Sequence, residues 1–177
     1  MRILSYLLIA VFLLSGCSSL FGEDEFPKFT PEQVGQIIRW AEEGDAEAQS
    51  TLGLMYHYGK GVNQDHQLAV KWYRRAAEQG FAEAQYSLGT MYYLGKGVPK
   101  DFVLAYKWYN LAAAQGNKNA TKLRDDIATK MIPSQIAEAQ KLARIFKPKE
   151  EQNPHSTRGK EDLEVIPLIN PKENPKK

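Results

Sequence analysis

The sequence is short of almost everything that chemistry at a site requires. Cysteine occurs once, as Cys17, so no intramolecular disulfide can form. Histidine occurs three times, as His57, His66 and His155, in separate segments with no metal-ligand spacing, so neither a metal nor another cofactor is expected. Neither sign of charge is in excess: 23 Lys and Arg face 21 Asp and Glu, a net charge of +2. That balance argues against nucleic acid as a partner, because a nucleic-acid binder carries a basic domain or stripe. Residues 53–60 carry the Gly and Gly-Lys of a phosphate loop, but five residues separate the glycines, and Gly61 stands where Ser or Thr would hold magnesium. The stretch also follows a helical pattern and not a strand. No Ser, His and acid arrangement can be singled out, so catalytic residues and enzyme activity are not expected. The longest apolar run, Ile3 to Leu14, has about twelve residues, against the roughly 20 that a spanning helix needs.

That run has another use. Arg2 precedes it and small residues lead from it to Cys17, which together read as a secretory signal peptide. Leu14-Ser15-Gly16-Cys17 resembles the bacterial lipobox. The resemblance implies that residues 1–16 are removed and that Cys17 is acylated as the first residue of the mature chain. It also implies, from Ser18 at the next position, delivery to the outer membrane of a Gram-negative envelope, facing the periplasm. Several acyl chains at ~0.8 kcal/mol per buried CH₂ make a stable anchor. An ordinary signal peptide with an incidental cysteine is the competing reading. Residues 17–30, with Gly22, Pro27 and no helical period, form a tether.

What the chain does have is a repeat. Residues 45–80 and 81–116 align without a gap and are identical at 22 of 36 positions, the signature of an array whose units bury their apolar faces on one another. In the first copy Ala48, Leu52, Met55 and Tyr56 fall on one face of a helix A. Gly53 and Gly89 recur inside helix A at a cost of about 1 kcal/mol each relative to Ala, which predicts close approach of a partner helix there. Gly59-Lys60-Gly61-Val62 and Gly95-Lys96-Gly97-Val98 supply the open backbone of a turn. Asp65 and Asp101 stand as N-caps of a helix B, whose apolar face is Ala69, Trp72, Tyr73, Ala76 and Ala77. Before the first copy, Thr30-Pro31-Glu32-Gln33 predicts a helix start, and residues 31–44 align with the second half of a unit.

The pattern A-x-x-x-L-G-x-x-Y, then G-K-G-V-x-x-D, then A-x-K-W-Y-x-x-A-A-x-x-G resembles the Sel-one-like repeat, a relative of the tetratricopeptide repeat. The resemblance implies an all-α fold, a right-handed α-solenoid of antiparallel helix pairs with a concave groove and about seven helices. Full repeats occupy 45–80 and 81–116, with partial or capping units at 31–44 and 117–147. In the last unit Arg124, Asp125 and Ala128 replace the leucine, glycine and tyrosine of helix A. Ile136, Ala139, Leu142, Ala143 and Phe146 keep an apolar stripe, as a solenoid end requires. Residues 148–177 are rich in Pro, Lys and Glu and are expected to be disordered; within them Leu163 to Ile169 forms an apolar island that is either an idle patch or a docking segment.

By helical phase, the helix A positions turned away from helix B are Ser50, Leu54, His57 and Tyr58 in the first repeat and Tyr86, Thr90, Tyr93 and Leu94 in the second. All four pairs differ between copies, whereas the packing positions do not, either because the groove is specialised for a ligand or through drift of an unconstrained surface. Two functions follow from these candidate groove residues. One is a membrane-anchored scaffold that holds an envelope protein or peptide, the role the resemblance implies. The other is a glycan-binding module that stacks peptidoglycan or an exported polysaccharide on Tyr58, Tyr86 and Tyr93.

Overall fold

The computed structural model describes residues 29–149. The expected signal peptide, Cys17, most of the expected tether and the apolar island at 163–169 lie outside them. Among the described residues there are seven helices and no strand: α1 Pro31–Glu42, α2 Ala46–Tyr58, α3 His66–Glu78, α4 Ala82–Leu94, α5 Phe102–Ala114, α6 Lys118–Ala128 and α7 Pro133–Arg144. The helices pack in succession from α1 to α6, and α7 returns onto α5. The all-α repeat fold expected from the period is the fold found.

Each boundary has a local cause. At the start of α1 the Gln33 N–H donates to Thr30 Oγ1 at 3.3 Å while the Thr30 N–H donates to Gln33 Oε1 at 2.8 Å, a reciprocal capping box with Pro31 inside it. Asp65 Oδ1 accepts from the N–H groups of Gln67 and Leu68. Asp101 Oδ1 accepts from Leu104, so both repeats use the same N-cap. Helix α2 ends at Gly59 with φ 68°, α4 ends at Gly95 with φ 70°, and Gly61 and Gly97 are left-handed as well. A side chain at these positions would be strained, which is why both copies keep the two glycines.

Packing follows the repeat. Leu52 and Met55 of α2 and Leu88 and Met91 of α4 are buried at equivalent positions, as are Ala69, Tyr73, Ala76 and Ala77 of α3. Ile37 and Ala41 of α1 are buried where Tyr73 and Ala77 stand one unit later, so the incomplete first unit packs as a helix B. Trp108 is 5% exposed, but Trp72, its counterpart on α3, is only half-buried. The difference comes from the end of the chain. Phe146 sets its edge on Trp108 with ring centres 5.6 Å apart, and Lys107 covers the same ring, whereas Trp72 has Arg75 over it.

Two buried glutamines are absent from the expected core. Gln49 is 0% exposed and Gln85 is 1% exposed. Gln49 Nε2 donates to the carbonyl of Ala41 at 3.1 Å, and its Oε1 accepts from Gln79 Nε2 at 2.7 Å. One repeat later Gln85 donates to the carbonyl of Ala77 at 3.2 Å and accepts from Gln115 at 2.8 Å. Each pair thus adds a second donor to a carbonyl at the C-terminal end of the preceding helix, which also accepts from the N–H of Gly44 or Gly80 just past that end.

The last unit closes the array differently. Ala139 and Ala143 of the expected stripe are buried, Ile136 and Phe146 are half-buried against the main apolar cluster, and Leu142 is half-buried. Beyond α7 the chain crosses back to α3, where the Lys149 N–H donates to the Glu78 carbonyl at 2.8 Å and Lys149 Nζ lies 2.6 Å from Glu78 Oε2.

Candidate functional site

The eight groove positions divide into an outer and an inner set. Tyr58 and Leu94, which end α2 and α4 at the same register, are 48% and 49% exposed. Ser50 and Thr90 are half-buried. Leu54, Tyr86 and Tyr93 pack against the main apolar cluster, and His57 contacts the neighbouring repeat.

The inner set corrects the expectation that these tyrosines stand clear of the packing. Because Gly89 has no side chain, Tyr109 leans across α4 and brings its ring centre 6.0 Å from that of Tyr86. The Tyr109 hydroxyl donates to Thr90 Oγ1 at 3.2 Å, and Thr90 Oγ1 donates to the Tyr86 carbonyl at 3.0 Å. Burial raises the pKa of the Tyr86 and Tyr109 phenols, so both stay protonated at neutral pH. Tyr93 stacks on Phe102 with ring centres 5.9 Å apart. Lys130 reaches it from beyond α6, donating to its hydroxyl at 3.0 Å, and Lys100 lies 5.8 Å from its ring centre. The adjoining third unit therefore covers a side chain that helical phase alone turns outward.

On the other flank, His57 Nδ1 sits 3.1 Å from Met91 Sδ, and its ring centre is 5.1 Å from that of His66. Burial first, then His66 and Lys96, lowers the His57 pKa to about 4, so the ring is neutral at physiological pH. The sequence separates these two histidines by a loop, and folding brings them together. Among the described residues no group of three His, Cys, Asp or Glu side chains gathers to hold a metal, and no helix is long and apolar enough to cross a membrane.

The arrangement is a surface rather than a reaction centre. Tyr58 sets its ring centre 4.5 Å from that of His57, Leu94 stands exposed at the same register one repeat on, and Lys96, Lys100 and Lys130 lie beside His57 and Tyr93. An open hollow lined by Lys100, Asp101, Phe102, Val103 and Gln135 adjoins Tyr93. Exposed aromatic and apolar side chains suit recognition of another chain, with the lysines at its polar rim.

Comparison with known proteins agrees with the architecture. The family model described as Sel1 repeat matches residues 46–81 and 82–117. A protective antigen present in uropathogenic Escherichia coli strains, which displays an SLR fold, superposes with a TM-score of 0.66 at 31% identity over 90% of this chain. This chain spans only 33% of that protein's length. A Sel1 repeat protein from Oxalobacter formigenes superposes with a TM-score of 0.54 at 42% identity, over 68% of this chain and 85% of the other. No curated protein sequence matches significantly. Repeats of this kind generally build non-catalytic scaffolds for protein interaction. With the period, the two-glycine turn and the stacked hairpins all in register, the chain belongs to the Sel1 repeat family.

Proposed function

We propose that this protein is a scaffold held by a lipid on Cys17 at the periplasmic face of the outer membrane, where it captures an envelope protein through the α2 and α4 surface. The observation that carries the reading is the pairing of Tyr58 with Leu94. Two large apolar side chains half open to solvent at one register of adjacent repeats offer an anchor stripe, and aromatic anchors dominate binding energy at such interfaces. Lys96 and Lys100 lie by His57 and Tyr93, next to the two stripe residues in sequence, while Lys130 is already paired with Asp126, so the matching segment has apolar side chains with an acid to meet the two lysines. The anchor reading has separate support in the sole cysteine, which follows a short apolar run.

A glycan would need open ring faces. Tyr93 is already engaged by Phe102 and two lysines, Tyr86 by Tyr109, and Tyr58, though 48% exposed, by the His57 ring at 4.5 Å, so the three do not form a row of open ring faces. The protein-binding reading is therefore the stronger. Photocrosslinking in intact cells from positions 58 and 94, before and after muramidase digestion, tests it. A discrete protein adduct that survives digestion supports the proposal. Adducts that disappear with digestion would transfer the surface to glycan, and an absence of adducts would remove it.

A further inference from the structure

Three side chains with metal-ligating atoms converge where the first repeat meets the second. His57 near the end of α2 places Nδ1 3.1 Å from Sδ of Met91 on α4. His66, at the start of α3, has its ring centre 5.1 Å from that of His57. Its Nδ1 is buried and has no hydrogen-bond partner, a state that folded proteins rarely tolerate without a reason.

The next repeat supplies an internal control. The residues 36 positions on are Tyr93, Phe102 and Ile127, and there Tyr93 stacks on Phe102. That slot has two aromatic rings and an isoleucine where the first has two imidazoles and a thioether, with Lys100 and Lys130 over the rings from outside. The scaffold thus needs no imidazole or thioether at these positions, yet the first slot has all three.

We infer that His57, His66 and Met91 form a site for one soft monovalent cation, copper(I), at the joint between the two repeats. A hydrogen bond from His57 to the Met91 sulfur would account for one contact and leave the buried nitrogen of His66 unanswered. A shared ion answers both. With metal–nitrogen bonds of about 2.0–2.1 Å and a near-tetrahedral angle, two imidazole centres lie about 5 Å apart, and the ring centres here stand at 5.1 Å. The donor set selects the metal, because thioether sulfur favours copper(I) and imidazole accepts it. Charge points the same way. The Lys96 ammonium faces His57, and no carboxylate or thiolate joins the group among the described residues, conditions that penalise a divalent ion more than a monovalent one. Gly97 lays its backbone against the His66 carbonyl with no room for a Cβ, which ties one ligand to the following repeat. An ion here would link α2, α3 and α4 and stiffen the joint.

The test is an anaerobic titration of the full chain carrying Cys17→Ser, so that no thiol competes, with copper(I) supplied as its bicinchoninate complex. The expected result is that the protein withdraws one equivalent of copper from the chelator and melts at a higher temperature when loaded. His57→Tyr with His66→Phe installs the side chains of the second slot and should abolish both effects while keeping the helical circular dichroism. Met91→Leu keeps the buried volume and should weaken both, which preserves the test if the double variant misfolds. No withdrawal of copper by the parent chain, or an equivalent retained in the variants, overturns the site.

Discussion

The ring of Tyr73 lies against the backbone of Gly53: a Cβ added at position 53 would fall 2.7 Å from Cδ1 of Tyr73, and one at Gly89 would fall 2.8 Å from Cδ1 of Tyr109. Helix propensity and packing therefore oppose one another at these positions. Alanine gains about 1 kcal/mol in propensity and loses about 1–3 kcal/mol by overpacking against a ring that is itself fully enclosed. Gly89→Ala is expected to destabilise the protein in urea unfolding. Gly35, in α1, has nothing within 4 Å of its missing Cβ, so Gly35→Ala should stabilise by about 0.5–1 kcal/mol. Stabilisation by both substitutions would show that the rings do not hold the helices at this distance.

The glutamine pairs give a second test. Gln85→Leu keeps bulk in the core but removes the bonds to the Ala77 carbonyl, which retains the Gly80 N–H at 3.0 Å, and from the exposed Gln115 amide. The expected cost is about 1–2 kcal/mol, the net worth of two hydrogen bonds. Gln115→Ala should cost less, because Gln115 is exposed and its removal leaves only an acceptor unmet. Equal and negligible effects in the same unfolding experiment would mean that water replaces the bond.

These two features differ in how far the sequence announces them. A glycine recurring inside helix A signals close approach, and the approaching ring, Tyr73, lies on the expected helix B face. Gln49 and Gln85 recur as well, in identical Ala-Glu-Ala-Gln stretches, but a polar side chain beside an apolar face looks solvent-facing until its partners are known. Their recurrence was the usable signal. The groove positions were legible only where one helix decides the outcome. Tyr58 and Leu94 are exposed as phase predicts, while Tyr86 and Tyr93 are drawn inward by Tyr109 and Phe102 of the facing helix and by Lys130 of the next unit, contacts between helices that no single-helix period contains. The same holds for His57, His66 and Met91, which come from three helices.

The two equivalent tryptophans should not behave alike, although the repeat alone gives no reason to separate them. Trp108→Ala removes a buried ring braced by Phe146 and should cost about 3–5 kcal/mol. Trp72→Ala removes a half-buried ring beneath Arg75 and should cost distinctly less. Truncation after Leu142, which removes Phe146, should narrow the difference in melting temperature between the variants. An unchanged difference would assign the asymmetry to something other than the end of the chain.

Acid should weaken the joint at His57. Its folded-state pKa of about 4 lies below the ordinary value of 6.5, so the unfolded chain takes up this proton first as the pH falls. The contribution of neutral His57 is complete above about pH 6.5, declines as the pH drops toward 4 and changes no further below that. His57→Tyr should flatten this part of the profile in thermal melts between pH 7 and pH 4. A slope that survives the substitution would have to come from carboxylates elsewhere.

The working surface is best probed away from the side chains that also hold the fold. Tyr86→Ala and Tyr93→Ala would disturb the Tyr109 and Phe102 contacts, so loss of capture in either would not separate recognition from packing. Tyr58→Ala with Leu94→Ala changes side chains that are about half open to solvent, and should shift the melting temperature little. If these residues anchor a partner, each should matter by about 2 kcal/mol or more, so the double variant should lose capture of the crosslinked protein by several hundredfold or more. The proposed lipid on Cys17 enters the same experiment as an independent arm. Cys17→Ala should release the protein from the outer-membrane fraction yet leave binding by purified protein unchanged, because Cys17 lies outside the repeats. Undiminished capture by the Tyr58→Ala, Leu94→Ala protein would exclude this stripe as the working surface. In that event Leu163 to Ile169, the apolar island of the tail, is the segment to delete next.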